Sequence, residues 1–450
     1  MQVAMMFWHF GGMWLYSRRE IRNGPIITIL PMKIKVIDKP FQEVIALPRA
    51  PHKYPRKPSR LMHAVMRIAS IPDLRDVGFT YESMGMERAG KGPWLVLMNH
   101  SSFLDFEIVS RILYPKPYHI VATSDGFVGK EWLMRSLGCI PTHKFVRDPQ
   151  LIADMKHALW NNRTSVVLYP EASYSFDGTT TPLPKRLSRL FQSLKVPVVM
   201  ITTFGSFTRD PLYNNLQKRK VKVSARIECL FTPEEIASSS VESMDRRLEE
   251  AFTLDYFQWQ ADNLVRTEEP FRADGLNRIL FRCPACGAEG ETEGKDVTLT
   301  CRHCGKEYRM DEYGRLAAKD GITEFPHIPD WYAWERECIR KEVLDGTYSL
   351  DLDVDICMMV DFKAIYRVGS GTLHHDGNGF VLEGCGGELH YERTPLESYS
   401  VYSDYFWYEI GDVICIGDRD KLFYCFPRQR DVVAKVRMAA EEIYKARKHP

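Results

Sequence analysis

A chain of 450 residues exceeds what a single hydrophobic core organises, so two or three domains are expected. A 44% hydrophobic fraction supplies ordinary globular cores, and a formal net charge of +1 excludes a nucleic-acid binder that works through bulk positive charge. No run of 18 apolar residues occurs, so no spanning helix is expected, and the 11 cysteines, four of them in two Cys-x-x-Cys pairs, fit a reducing compartment better than a disulfide scaffold.

Residues 1–60 read as an N-terminal extension that ends in a basic, Pro-rich linker, "LPRAPHKYPRKPSR" at 47–60. Its apolar start, "VAMMFWHFGGMWLY", is broken by Gly11-Gly12 and is followed, not preceded, by Arg18 and Arg19, the reverse of a signal peptide. Two readings stay open there: an interfacial anchor, or an extension outside the folded protein with Met32 as an alternative start. Next, "RLMHAVMRIASI" places Leu61, Val65, Ile68 and Ala69 on one helical face, with Arg60 and Arg67 elsewhere. That face either packs on a core or lies in a membrane interface.

Residues 61–270 form the next domain. "WLVLM" (94–98), "SVVLY" (165–169), "VPVVMIT" (196–202) and "VKVSARIECLF" (221–231) are strand-like runs separated by helical patterns. Continuous apolar strands alternating with helices predict an α/β domain with a mostly parallel sheet and flanking helices. "TPEE" at 232–235 opens a helix through Pro233 and a capping-box glutamate. Residues 275–320 hold the cysteine pairs, and "GITEFPHIPD" (321–330) reads as a linker. From 330 to 450 short strands with hairpin signals predominate, closed by a helix in "DVVAKVRMAAEEIYKARK", with Asp431 as N-cap and Val432, Val436, Ala440 and Ile443 as its apolar stripe. This plan looks like that of a pleckstrin-homology-like domain. The aromatic stretch 399–410 reads as a half-buried strand or a lipid contact.

The chemistry concentrates in "LMNHSSFLDFEIV" (97–109), where a buried strand ends at Asn99-His100 and a helix begins. A His and an Asp five positions apart arise by chance roughly once in a chain of this length, and Asp105 could simply satisfy backbone donors in a first helical turn. The place is what favours function: loops at the carboxyl ends of parallel strands hold the chemistry of α/β folds. A carboxylate on one imidazole nitrogen fixes the tautomer and leaves the other free to accept a proton. His100 and Asp105 thus form a base and its orienter with no serine or cysteine nucleophile required, suited to deprotonating a hydroxyl as it attacks an activated carbonyl.

"NHSSFLD" resembles the first motif of the lysophosphatidate and glycerol-3-phosphate acyltransferase superfamily, and "GCIPTHK" (138–144), "YPEASYS" (169–175) and "VPVVMIT" resemble its second, third and fourth, in order. The resemblance implies that His100 is the catalytic base and Asp105 its orienter. It implies that Glu171, with Asn99, Lys144 and Ser173 around it, holds the acceptor, and that the donor is acyl-CoA or acyl-ACP. Two positions depart from the pattern. Lys144 stands for an arginine in the second motif and lacks its bidentate fork, with Arg147 nearby. Ala172-Ser173-Tyr174 replaces Gly-Thr-Arg in the third, removing the arginine that meets an acceptor phosphate. The expected function is acyl transfer to a lysophospholipid, first of all 1-acyl-glycerol-3-phosphate. The alternatives are another lipid or glycolipid acceptor, or an inactive zinc-ribbon binding or scaffold protein.

Cys283, Cys286, Cys301 and Cys304 are spaced Cys-x2-Cys-x14-Cys-x2-Cys, which fits a structural zinc with four thiolate ligands, a rubredoxin-type iron being the rival. The acidic stretch between the pairs argues against nucleic acid as partner. The expected whole is a cytoplasmic protein held peripherally on the inner face of the membrane, with a lysolipid and an acyl thioester as partners.

Overall fold

The structure, a computed structural model, describes residues 34–448 and, before them, only the short paired segments Glu20–Ile21 and Gly24–Pro25. The apolar start of the chain therefore lies outside the described residues.

The first strand of the ordered body, β1 (Val36–Asp38), leaves its sequence neighbours and joins the C-terminal domain. The α/β domain is built on seven strands: β2 (Thr80–Met84), β3 (Leu95–Met98), β4 (Tyr118–Thr123), β5 (Cys139–Thr142), β6 (Ser165–Leu168), β7 (Val198–Phe204) and β8 (Ser224–Phe231). Their order is β2-β8-β7-β3-β6-β4-β5. Strand β3 is at the centre because its four residues carry no polar atom on either face, and all four are fully buried. Every neighbour pairing in this sheet is parallel except β7 with β8, which run antiparallel. Among the described residues the other sheets are antiparallel apart from the pairing of β1 with the C-terminal sheet, so the protein as a whole is mixed α/β.

Helix α1 (Arg60–Ala69) is capped by the Ser59 hydroxyl, which accepts from the Met62 amide at 3.3 Å. It buries His63 and Met66, whereas Leu61 (72% exposed) and Ile68 (60%) point outward, so of the two readings of that apolar face the core-packing one does not hold for them. His63 stacks on Tyr118 at 4.3 Å and bonds the Leu137 carbonyl, which explains a histidine on the inner face. Helix α2 (Leu104–Leu113) follows β3 directly.

The cysteine region forms a four-stranded antiparallel meander, β9 (Thr292–Lys295), β10 (Thr298–Cys301), β11 (Glu307–Met310) and β12 (Leu316–Ala318). The stretch expected as a linker instead runs into helix α3 (Ile328–Leu344), whose start is fixed by buried Ile328 and Pro329 and by His327, 2.7 Å from Asp255. The C-terminal sheet holds β13 (Ser349–Met359), β14 (Ile365–Asp376), β15 (Gly379–Gly384), β16 (Leu389–Arg393), β17 (Tyr402–Trp407), β18 (Gly411–Gly417) and β19 (Leu422–Pro427), in the order β16-β15-β14-β13-β19-β18-β17. Strand β1 adds to β14 in parallel. Helix α4 (Val433–Lys448) closes the chain with Val436 and Ile443 buried. Asp431 accepts from the Asn277 amide at 2.8 Å and so ties the helix start to the ribbon's approach.

The largest hydrophobic core crosses all three regions. It contains Phe207 and Tyr256 of the α/β domain, Leu299 and Tyr308 of the ribbon, and Ile414 and Val436 of the C-terminal domain.

Candidate active site

Strand β3 ends at Asn99 because that side chain stops the ladder and bridges to the next strand. Its Oδ1 accepts from the Thr203 amide at 2.8 Å and its Nδ2 donates to Thr203 Oγ1 at 3.0 Å, binding the tips of β3 and β7 together. His100 then emerges at the carboxyl edge of the sheet. Its Nδ1 donates to Asp105 Oδ2 at 3.0 Å. The same oxygen accepts from the amides of Ser101 (2.9 Å) and Ser102 (3.2 Å). One carboxylate therefore organises the first turn of α2 and orients the imidazole, which reconciles the helix-start and the catalytic roles open in the sequence.

With Nδ1 engaged, Nε2 is the nitrogen left to take a proton. Burial lowers the His100 pKa, against the opposing effect of Asp105, so the ring rests neutral. Two tyrosines fix its plane: Tyr169 and Tyr174 lie with ring centroids 4.2 and 4.1 Å away. Tyr174 occupies the position where the resemblance leads one to expect arginine.

Glu171 lies behind the histidine. Its Oε1 accepts from the His100 amide at 3.1 Å, and Oε2 accepts from the Thr181 amide at 2.9 Å and its hydroxyl at 3.1 Å. Burial pushes its carboxyl up to about 7. Oε1 thus holds the loop that carries His100, and Oε2 holds the segment at Thr181. Next to it Ala172 adopts a positive φ of 57°, a conformation natural to glycine. Asn99, Asp105, Glu171 and Ser173 are all nearly fully buried.

His100 and Lys144 line a cavity of 2310 Å³. Its walls combine apolar side chains, among them Met66, Phe106, Leu133 and Met155, with basic ones including Arg147. Part of the wall belongs to the C-terminal domain. Lys144 sits 4.3 Å from the centroid of Tyr402, near Asp404, whose carboxyl burial raises to about 7. Trp407 Nε1 and Tyr402 OH both donate to Asp125 Oδ2, at 3.1 and 3.3 Å. The aromatic stretch at 399–410 thus reaches across the domain boundary and shapes the site. Its alternating tyrosines show in the sequence, but the partner Asp125, more than 270 residues away, does not.

The four cysteine sulfurs lie within 4.8 Å of one another, with Cys283–Cys304 and Cys286–Cys301 at 3.8 Å. Disulfides require about 2 Å. A tetrahedron with metal–sulfur bonds of about 2.3 Å has edges of about 3.8 Å, so the set fits one metal ion with four thiolates. All four positions would then be taken by protein, leaving none for a substrate.

A part-buried histidine paired with a buried aspartate at a parallel-strand tip thus lines a large, mainly apolar cavity. Residues 80–203 match the family model described as Acyltransferase. Among solved structures it is similar to the 1-acyl-sn-glycerophosphate (LPA) acyltransferase PlsC from Thermotoga maritima, at 18% identity and a TM-score of 0.35, covering 42% of this chain and 76% of that one. No curated protein matches the chain.

Proposed function

We propose that the protein moves a fatty acyl group from an acyl thioester, carried by coenzyme A or acyl carrier protein, to a hydroxyl of a lysophospholipid, with 1-acyl-glycerol-3-phosphate the first acceptor to test. The observation that carries this is the His100–Asp105 pair: a neutral, oriented imidazole whose free nitrogen belongs to a cavity wall. The acceptor hydroxyl gives its proton to Nε2 as its oxygen bonds to the thioester carbonyl carbon. The tetrahedral intermediate collapses by breaking the carbon–sulfur bond, and the imidazolium returns the proton to the departing thiolate. No acyl-enzyme forms, so both substrates share the cavity, and 2310 Å³ accommodates them.

In the same proposal the cysteine tetrad holds a structural zinc ion, which would stabilise a ribbon otherwise too small to keep its shape. Among the described residues no helix is long and apolar enough to cross a membrane. Exposed Leu61, Ile68 and Trp132 support a peripheral seat, with Arg60 and Arg67 beside the first two facing anionic lipid at a cytoplasmic surface.

The test is acyl transfer by the purified protein from labelled acyl-CoA and acyl-ACP to a panel of lysolipids. His100→Ala is expected to lower turnover by about 10²–10⁴-fold with an unchanged melting temperature. Near-wild-type turnover in that variant would falsify the mechanism.

A further inference from the structure

The short helix Ser206–Arg209 follows β7 and delivers Arg209 to the wall of the cavity that His100 lines. Arg209 is 2% exposed. Its Nη1 donates to Asp210 Oδ2 at 2.9 Å. Its Nε and Nη2 have no hydrogen-bond partner among the described residues, and Nη2 is 3.8 Å from Asp73 Oδ2, too far to bond. These two donors form one edge of the guanidinium, a parallel fork that fits two oxygens of a single phosphate or carboxylate. A buried fork left open is costly, because a buried donor without a partner loses its hydration and gains nothing.

The surroundings admit a negative charge. Lys218 Nζ lies 3.0 Å from both oxygens of Asp73 and neutralises it. Glu107 lines the same region, and burial beside Asp73 raises its carboxyl to about 8, so at neutral pH it is uncharged and able to donate. Asp73 is matched by Lys218 and Asp210 by Nη1 of Arg209, which leaves the open Nε–Nη2 fork as the group facing an incoming anion. The place is also near the reacting centre, since Ser102, two residues beyond His100, lines the same cavity as Arg209 and Asp210.

We infer that Arg209 receives the phosphate of the acceptor's headgroup, through its Nε–Nη2 edge, with the acceptor hydroxyl directed toward His100. This rests on acyl transfer for the identity of the acceptor. It assigns a lipid phosphate, as monoester or diester, to a residue outside the four acyltransferase-like sequence blocks.

The test measures equilibrium binding to the full-length protein by titration calorimetry, with decyl phosphate, 1-decanoylglycerol and inorganic phosphate as probes. Arg209→Gln is expected to weaken decyl phosphate binding by about tenfold or more, and Arg209→Lys, which keeps the charge without the fork, by less. Both should leave 1-decanoylglycerol within about twofold, which also shows the cavity intact. Equal losses on the phosphate and neutral probes, or no loss on either, overturn the assignment. Inorganic phosphate binding as tightly as decyl phosphate overturns it as well, because the site would then serve the free ion. Arg209-dependent binding by a wild-type protein that transfers no acyl group would refute acyl transfer and leave the phosphate site standing. Acyl transfer with decyl phosphate binding indifferent to Arg209 would do the reverse.

Discussion

At the scale of single residues, a part-buried histidine is paired with a buried aspartate that also organises a helix start. In the proposed mechanism Asp105 supports the imidazolium that forms when His100 takes a proton, so Asp105→Asn is expected to lower turnover by about 10²–10⁴-fold and to shift the acid limb of the kcat/KM profile further down. In the wild type that limb should already lie below the ordinary histidine range, because burial lowers the His100 pKa. The buried acids have a different consequence. Glu171 and Glu107 are raised to about 7 and about 8, so the folded state binds protons that the unfolded chain has released. Their burial carries no penalty below the ordinary glutamate range, and the cost grows as pH rises toward those values. Buried histidines, lowered by the same burial, add stability as pH rises to their ordinary value, so the fall in melting temperature is expected from about pH 7 to pH 9, and Glu107→Gln should flatten part of that slope. A wild-type melting curve that rises over this range would contradict the assignment.

At the scale of elements, the bond between Asn99 and Thr203 makes the carboxyl tips of β3 and β7 one platform. Asn99→Ala leaves the Thr203 amide unpaired in the interior, and a loss of about 1–3 kcal/mol in denaturant unfolding is expected, together with reduced turnover. How much of this was legible beforehand follows from which elements announce themselves. Strands β3, β6 and β7 are nearly continuous apolar runs and β8 alternates before an apolar end, so all four are readable, as are the His100–Asp105 pair and the four cysteines. Strand β2 was not, because "TYESM" is an exposed edge with no apolar period. Strand β4 carries His119, whose Nδ1 bonds the Gly138 carbonyl, and β5 carries Pro141, both of which read as interruptions. Helix α3 hid behind a Pro-containing stretch that looked like a linker, although proline is well placed in a first helical turn. Leu61 and Ile68 were taken together with Val65 as one face, but tertiary packing chose the face of His63 and Met66. Tyr174 stacked on His100 lay within a recognised block, yet stacking depends on backbone direction and not on spacing. Arg209, Asp125 and Tyr402 join the site through contacts too distant in sequence for any local pattern to show.

At the scale of the whole molecule, the ribbon is a joint. Arg282, next to the first cysteine, pairs with Glu289 and Glu342, its amide donates to Glu335 at 2.7 Å, and Glu289 accepts from Lys435 of α4 at 2.6 Å. Through these contacts the cysteine knuckles brace both α3 and α4, and α4 packs under the sheet whose strand β17 walls the cavity. Chelation, or Cys283→Ser, is expected to lower the melting temperature by at least about 5 °C and to reduce turnover even though no metal touches a substrate. Unchanged stability with the metal removed would show the joint to be dispensable. A further consequence lies in β1. It pairs with residues 365–367 of β14, just before the stretch that β15 covers, and the Lys39 amide donates to the Arg367 carbonyl at 3.0 Å. Some 329 residues separate the partners Asp38 and Arg367. At bacterial or eukaryotic elongation rates, β1 leaves the ribosome roughly a quarter-minute to a minute before its partner exists. During that interval the nascent α/β domain carries an unpaired strand, which finds its partner only after the whole of that domain and the ribbon have been made.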